Sequence, residues 1–388
     1  MIVTVSTVKD NLHNVQRYVE GNLAGGADHL ILFLDQGAAE VEAYLDTRPE
    51  VTYVVTNTPW WRGDRPHLLN KRQRVNANIA KAVLAFSPWA TWLFHIDADE
   101  VVRLDRQVLD EIPRHVKAVG IRPLEVVSTR HPEGEPHLFK RLLDDDELDL
   151  LHQLRVLDEP SNSFYYRSHI AGKVGVRPRL DIWLGIHKAA DRDDNRWPLV
   201  FRDELRMLHF ESYSGDDFVR KWTSMVRSGP KMHFGTQRLS IAYGLRALVE
   251  MDLPRDVKAR YFEKIYQRHM EDPVDQLAAL DLLVDVDVRR PTHRPTPLPD
   301  DERRLLAERL EMVRELDKWS FIPDSDDAAE VGPRLRKLFR TRPVGPLGPP
   351  HPLVRAGRAR VRTTLNRVQG KTDPAADDQA PADGDTPE

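Results

Sequence analysis

The sequence predicts an α/β protein, a parallel β-sheet covered by helices on both faces. Three observations point there. Short apolar, β-branched runs alternate with segments of helical periodicity through roughly the first hundred residues. Two of these runs, "HLILFLD" (29–35) and "WLFHI" (92–96), are apolar almost without interruption, as strands buried on both faces are. Both run into acids, Asp35 and Asp97, at the strand end where open parallel sheets place their ligands.

The elements follow in order. Ile2 to Val5 opens a first strand, and Leu12, Val15, Val19 and Leu23 then mark one helical face that Gly25-Gly26 stops. Strand 29–35 is followed by a helix in "AAEVEAYLDTRP", a strand in "VTYVV" (51–55), and a long helix over 70–86 with a basic start. Strand 92–96 comes next. Beyond residue 102, "VLDEIPRHV" reads as helix, "AVGIRPLEVV" as strand, and β-rich stretches fall around 163–189. A helix begins near Asp216, for which Ser214 is a suitable cap. Residues 236–320 are mostly helical around a Pro-rich break at 289–299. The predicted organisation is a main domain over 1–235, a helical extension over 236–330 and a disordered tail over 331–388, basic and then acidic.

Composition narrows the function classes. A net charge of -4 over 388 residues creates no global field for nucleic acid, so no nucleic-acid partner is expected. The absence of cysteine removes disulfides, thiolate catalysis and cysteine-held metals. The N-terminal apolar run is too short for a secretory signal, and no segment approaches the ~20 apolar residues of a membrane span. A cytoplasmic chain is expected.

The chemistry concentrates in "WLFHIDADEVV". Asp97, Asp99 and Glu100 crowd at the end of an apolar strand, where self-repulsion and desolvation require a positive partner. Asp97 and Asp99 project to one side of an extended chain, and two hard anionic oxygens suit Mg²⁺ or Mn²⁺. Asp-x-Asp alone is weak, since it recurs at Asp144/Asp146, Asp191/Asp193, Asp285/Asp287 and Asp324/Asp326. What separates Asp97 from these is the strand before it. Other residues belong to the same picture. Arg74 and Asn78 share a helical face that would either meet a sugar or phosphate or be a solvated basic face, and Glu125, Asp181 and Glu211 are candidate bases for an acceptor hydroxyl.

The order of "VSTVKDNLHNVQRYVEGNLAGGADHLILFLDQG", "RQRVNANIAKA" and "WLFHIDADEVV" resembles glycosyltransferase family 2, in its family-92-like branch, over roughly residues 1–225. That resemblance implies a GT-A fold with a Rossmann-like mixed sheet, Mn²⁺ or Mg²⁺, a nucleotide-diphospho-sugar donor, and a glycan, lipid-linked or other hydroxyl acceptor. By the same match Asp99 coordinates the metal, Asp97 helps to hold it or meets the ribose, and Glu100 stands behind them. Lys9 would lie near the nucleotide, with Asp35 at the end of the second strand. The Gly-Lys of "HIAGKVGVRP" implies phosphate contact from Lys173 or Arg177, and His187 or His209 would be a further metal ligand or substrate contact. Two departures bear on base recognition: Asp10-Asn11 stands where the family often has Asn-Glu, and "QGAAE" where it often has Ser-x-Asp.

Two rival readings use the same residues. "DADEVV" also resembles the Asp-x-Asp-x-Val of haloacid-dehalogenase phosphatases, with Asp97 as nucleophile and Asp99 as acid/base. A sugar- or nucleotide-binding module without turnover would keep the fold and lose the reaction. Separately, Leu353, Val354, Val361, Leu365 and Val368 fall near one helical face among five arginines. That pattern suits peripheral contact of 353–368 with an anionic membrane, against the plainer reading of a basic disordered tail.

Overall fold

In a computed structural model, which describes residues 1–227 and 236–340, the first apolar runs become β1 (Ile2–Val8), β2 (His29–Leu34), β3 (Val51–Val55) and β4 (Trp92–His95). Between them lie α1 (Leu12–Ala24), α2 (Ala39–Asp46), the short α3 (Thr58–Trp61) and α4 (Leu69–Leu84). The α1 helix starts where the Asn11 side chain accepts the Asn14 amide at 2.9 Å. The second half carries β5 (Glu100–Leu104), α5 (Arg106–Glu111), β6 (Ala118–Val126), β7 (Leu138–Lys140), α6 (Asp145–Gln153), α7 (Asn162–Tyr165), β8 (Lys173–Val176), β9 (Trp183–Leu184), β10 (Ala189–Ala190) and β11 (Val200–His209). Then come α8 (Gly215–Arg227), α9 (Thr236–Glu250), α10 (Arg255–His269), α11 (Val274–Ala279), β12 (Leu283–Asp285), α12 (Asp300–Met312) and α13 (Val331–Phe339). As its sequence suggests, the Ser214 hydroxyl accepts the Asp217 amide at the start of α8.

The sheet mixes parallel and antiparallel pairs, as the expected fold class does. Strands β3, β2, β1 and β4 are parallel neighbours in that order, so the winding reverses between β1 and β4. Beyond β4 the antiparallel β8 intervenes before β6, and β11 runs parallel to β6 and antiparallel to β5. The carboxyl ends of β1, β4, β6 and β11 and the amino end of β8 therefore gather at one rim.

Alternating residues explain the layers. Val3, Val5, Ile31 and Phe33 face one side and pack with Val75, Ile79 and Val83 of α4, whereas Ile2, Leu30 and Leu32 face the other with Val15, Tyr18 and Val19 of α1. The sequence-drawn boundaries need correction here. Leu306 and Leu310 of α12 and Leu335 and Phe339 of α13 join the α4 side of the main core, so the extension and the first residues assigned to the tail complete that layer. The division at 235/236 also cuts a small apolar cluster in which Phe218 and Trp222 of α8 meet Leu245 of α9 and Tyr266 of α10. The membrane-contact segment 353–368 lies outside the described residues. No helix among the described residues is long and apolar enough to cross a membrane.

Candidate functional site

The acidic motif is the turn between β4 and β5. The Glu100 amide donates to the Asp97 carbonyl at 3.1 Å, and the Glu100 carboxylate folds back to accept the Asp97 amide at 2.6 Å. This turn stands at the rim, beside the β1/β4 reversal where doubly wound sheets bind ligands. The positive partners that the crowding demands come from far along the chain. Asp97 accepts Gln73 Nε2 on one oxygen and Lys173 Nζ on the other, both at 2.6 Å. Asp99 accepts Lys221 Nζ at 2.8 Å and faces His209 Nε2 at 3.8 Å. The same Lys221 ammonium donates to Glu211 at 3.0 Å. The crowding is thus answered by two lysines and a histidine before any ion is considered.

The local field follows from burial and these charges. Burial works against ionising Asp97 and Asp99, but Lys173 holds the first below its ordinary carboxyl value, and Lys221 with His209 holds the second well below. Glu100 is fully buried, and burial with the Asp97 charge pushes it up to about 7 despite Lys173. Burial opposes a charge on His209 too, yet the Asp99 carboxylate raises it to about 9. Burial and the Lys173 ammonium push His187 down to about 4.

Of the residues singled out from the sequence, Asp97, Asp99, Glu100, Lys173, His209 and Glu211 converge here, and His187 stands beside them with its ring 4.2 Å from that of His169. Other candidates do not join. Arg177 is at the opposite rim because β8 runs antiparallel to β4; its guanidinium lies 4.2 Å over Trp92 and donates to the Ile112 and Val116 carbonyls. Asp181 lies toward that rim as well, its carbonyl accepting Lys117. Asp35 is ion-paired to Arg65 at 2.8 Å and Arg72 at 3.0 Å, and Arg74 to Asp194. Asn78 braces Leu184 through both its backbone groups. Glu125 is buried against Lys140 and the amides of Arg167 and Ser168, which leaves it no place as a base. Lys9 is exposed in the loop after β1. Three members escaped the sequence reading: Gln73, Lys221 and His169, whose Nε2 is 4.0 Å from Glu100.

Two groups among the described residues bring three ligand atoms within 4.8 Å of one another: Asp99 with His209 and Glu211, and Glu100 with His169 and His209. Asp97 and His187, expected as metal ligands, belong to neither. Both oxygens of Asp97 are already engaged, and His187 Nδ1 meets the Gly172 carbonyl at 2.8 Å. Comparison of the chain with protein-family models and with curated proteins finds no match.

Proposed function

We propose that this chain is a metal-dependent glycosyltransferase of the GT-A type, moving a sugar from a nucleotide-diphospho-sugar to a glycan, lipid-linked or other hydroxyl acceptor. One observation carries the reading: the Asp97–Glu100 turn ends the central strand β4 at the winding reversal, with fixed cations facing it. The parallel β3-β2-β1-β4 half followed by the antiparallel β8 supports the fold assignment.

The oxygen-rich Asp99–His209–Glu211 set fits Mn²⁺ or Mg²⁺, and these residues would hold it. Such an ion would neutralise charge on the donor's diphosphate. Lys221 supplies positive charge at the same place, where a departing diphosphate gains negative charge. Lys173 acts through Asp97, fixing its carboxylate together with Gln73. Of the three candidate bases Glu211 is the one at the site, but as a ligand of the ion and a partner of Lys221 it would be a poor base. The phosphatase reading is less well served, because its nucleophile would be an aspartate with both oxygens engaged, after the fourth strand of the chain.

The test is a thermal-shift and calorimetric panel of nucleotide-diphospho-sugars with and without Mn²⁺, followed by release of the nucleoside diphosphate. Stabilisation requiring both metal and a diphosphonucleotide, and lost in Asp99→Asn, supports the reading. Binding without turnover in any acceptor mixture would favour the binding module, and phosphomonoester hydrolysis without donor binding would favour the phosphatase.

A further inference from the structure

One buried atom near the site is left over by the transfer chemistry. The Glu100 side chain is fully buried, with Oε2 held by the Asp97 amide and 3.6 Å from Lys173. Its Oε1 is buried with no hydrogen-bond partner among the described residues. His169 Nε2 lies 4.0 Å from it, beyond hydrogen-bond reach. A buried carboxyl oxygen without a partner is costly, and a cation bound there would satisfy it in its ionised form.

What surrounds Oε1 is organised. His209 is the direct cross-strand partner of Glu100 in the β11/β5 pair, so sheet register fixes their proximity. The His209 ring is oriented by Ser168, whose Oγ lies 3.0 Å from Nδ1. An ion that displaces the Nε2 proton would leave Nδ1–H donated to that hydroxyl and turn the Nε2 lone pair inward. Ser168 in turn is pinned by its amide to Glu125 at 2.7 Å, and the Arg167 amide is held the same way. The next residue, His169, is thereby carried on an anchored loop, its ring 5.2 Å from that of His209. Glu100, His169 and His209 bring one ligand atom each within 4.8 Å of one another. Ligands at ~2.1 Å from a tetrahedral ion stand roughly 3.4 Å apart, so small rotations close the set. Two imidazoles and a carboxylate favour Zn²⁺, Co²⁺ or Ni²⁺ over Mg²⁺. His169, about one-third exposed, gives such an ion a way in and an open position.

We propose that Glu100, His169 and His209 form a transition-metal site, with Zn²⁺ as its best-fitting ion, and that it is mutually exclusive with the Asp99–His209–Glu211 set. Exclusivity follows from one shared atom: with Nδ1 committed to Ser168, His209 has a single nitrogen to give. Zinc therefore displaces manganese and, on the transferase reading, inhibits transfer.

The experiment titrates the full chain with ZnCl₂ and MnCl₂ separately and in competition, without nucleotide, by calorimetry and metal analysis after dialysis. The expected result is one zinc per chain and mutual displacement of the two ions. His169→Ala and the milder His169→Gln should weaken zinc by about tenfold or more and leave manganese within about twofold. Glu211→Gln should do the converse. Cobalt in place of zinc should give tetrahedral d–d absorption that His169→Gln abolishes. Unchanged zinc affinity in both His169 variants, or no zinc binding, overturns the site. Simultaneous binding of both ions overturns the exclusivity. Because only metals are titrated, these failures are separable from failure of donor binding.

Discussion

Replacing Lys140 by Met tests whether the interior behind the site is organised by charge. Lys140 Nζ lies 2.8 Å from Glu125 and 3.0 Å from Asp272, and all three side chains are at most 2% exposed. Removing one partner of a buried ion pair costs about 3–5 kcal/mol, mostly the penalty of stranding the other charge. Here Glu125 keeps the amides of Arg167 and Ser168, and Asp272 keeps the Ser128 amide and the Arg167 guanidinium at 3.1 Å. These place the expected loss near the lower end, at about 3 kcal/mol. Adding Asp272→Asn then removes one of the two stranded carboxylates and leaves Glu125 with Arg167 nearby. The double variant should therefore regain about 1–2 kcal/mol over the single one. Burial alone would raise Glu125, but Lys140 and the two amides depress it below its ordinary value of 4.5. A depressed carboxyl contributes stability that is present above its unfolded pKa and lost as pH falls through its folded one, so the Lys140→Met deficit should shrink in acid. Urea unfolding at pH 7 and pH 4, comparing midpoints at equal slope, reads all three effects. A deficit under about 1 kcal/mol, or a double variant weaker than Lys140→Met, would show that Lys140 acts as packing rather than charge.

Three further outcomes follow from other contacts. Lys221→Met should tighten manganese binding severalfold, because its ammonium occupies the space between Asp99 and Glu211, yet, on the proposed transferase reading, slow transfer at saturating metal; calorimetry and a donor-turnover assay check the split. Gly25→Ala should cost about 1–3 kcal/mol in thermal unfolding, since a Cβ there would meet the Val102 carbonyl oxygen at 1.7 Å while the backbone φ of -81° is ordinary. Burial pushes His29 down to about 4, so it stays neutral in the fold while its unfolded form titrates near 6.5. Stability should fall as pH drops below 6.5, by on the order of 2 kcal/mol at pH 5, and His29→Gln should flatten that slope in urea titrations at the two pH values.

Much of the sheet was legible because burial on both faces leaves runs such as "HLILFLD" with no other reading, and helical spacing marks α1 and α4 between them. Strand direction was not. Lys173 and Arg177 look like one basic pair in sequence, yet four residues of an extended strand separate them by roughly 13 Å, and the antiparallel course of β8 delivers only the first to the acids. The end of the fold is hidden in the sequence for a related reason. Arg334, Arg336 and Lys337 make 331–339 look like a basic tail, but Leu335 and Phe339 are one turn apart on a helix and pack into the α4 layer. Composition does not carry that phase.

The acidic turn shows most clearly what a sequence can and cannot say about a site. Crowded carboxylates at the end of an apolar strand correctly announce a cluster of opposite charge, but they do not identify it. Lys173, Lys221 and Gln73 come from three separate elements and satisfy Asp97 and part of Asp99 without a metal. Repulsion between the acids is therefore a poor argument for an ion here. A better one lies in what those cations leave undone: Glu100 keeps a buried oxygen that no lysine reaches within hydrogen-bond distance, beside two three-ligand groups that share His209. His209 belongs to both groups that could hold a metal, so either proposed occupancy would depend on it.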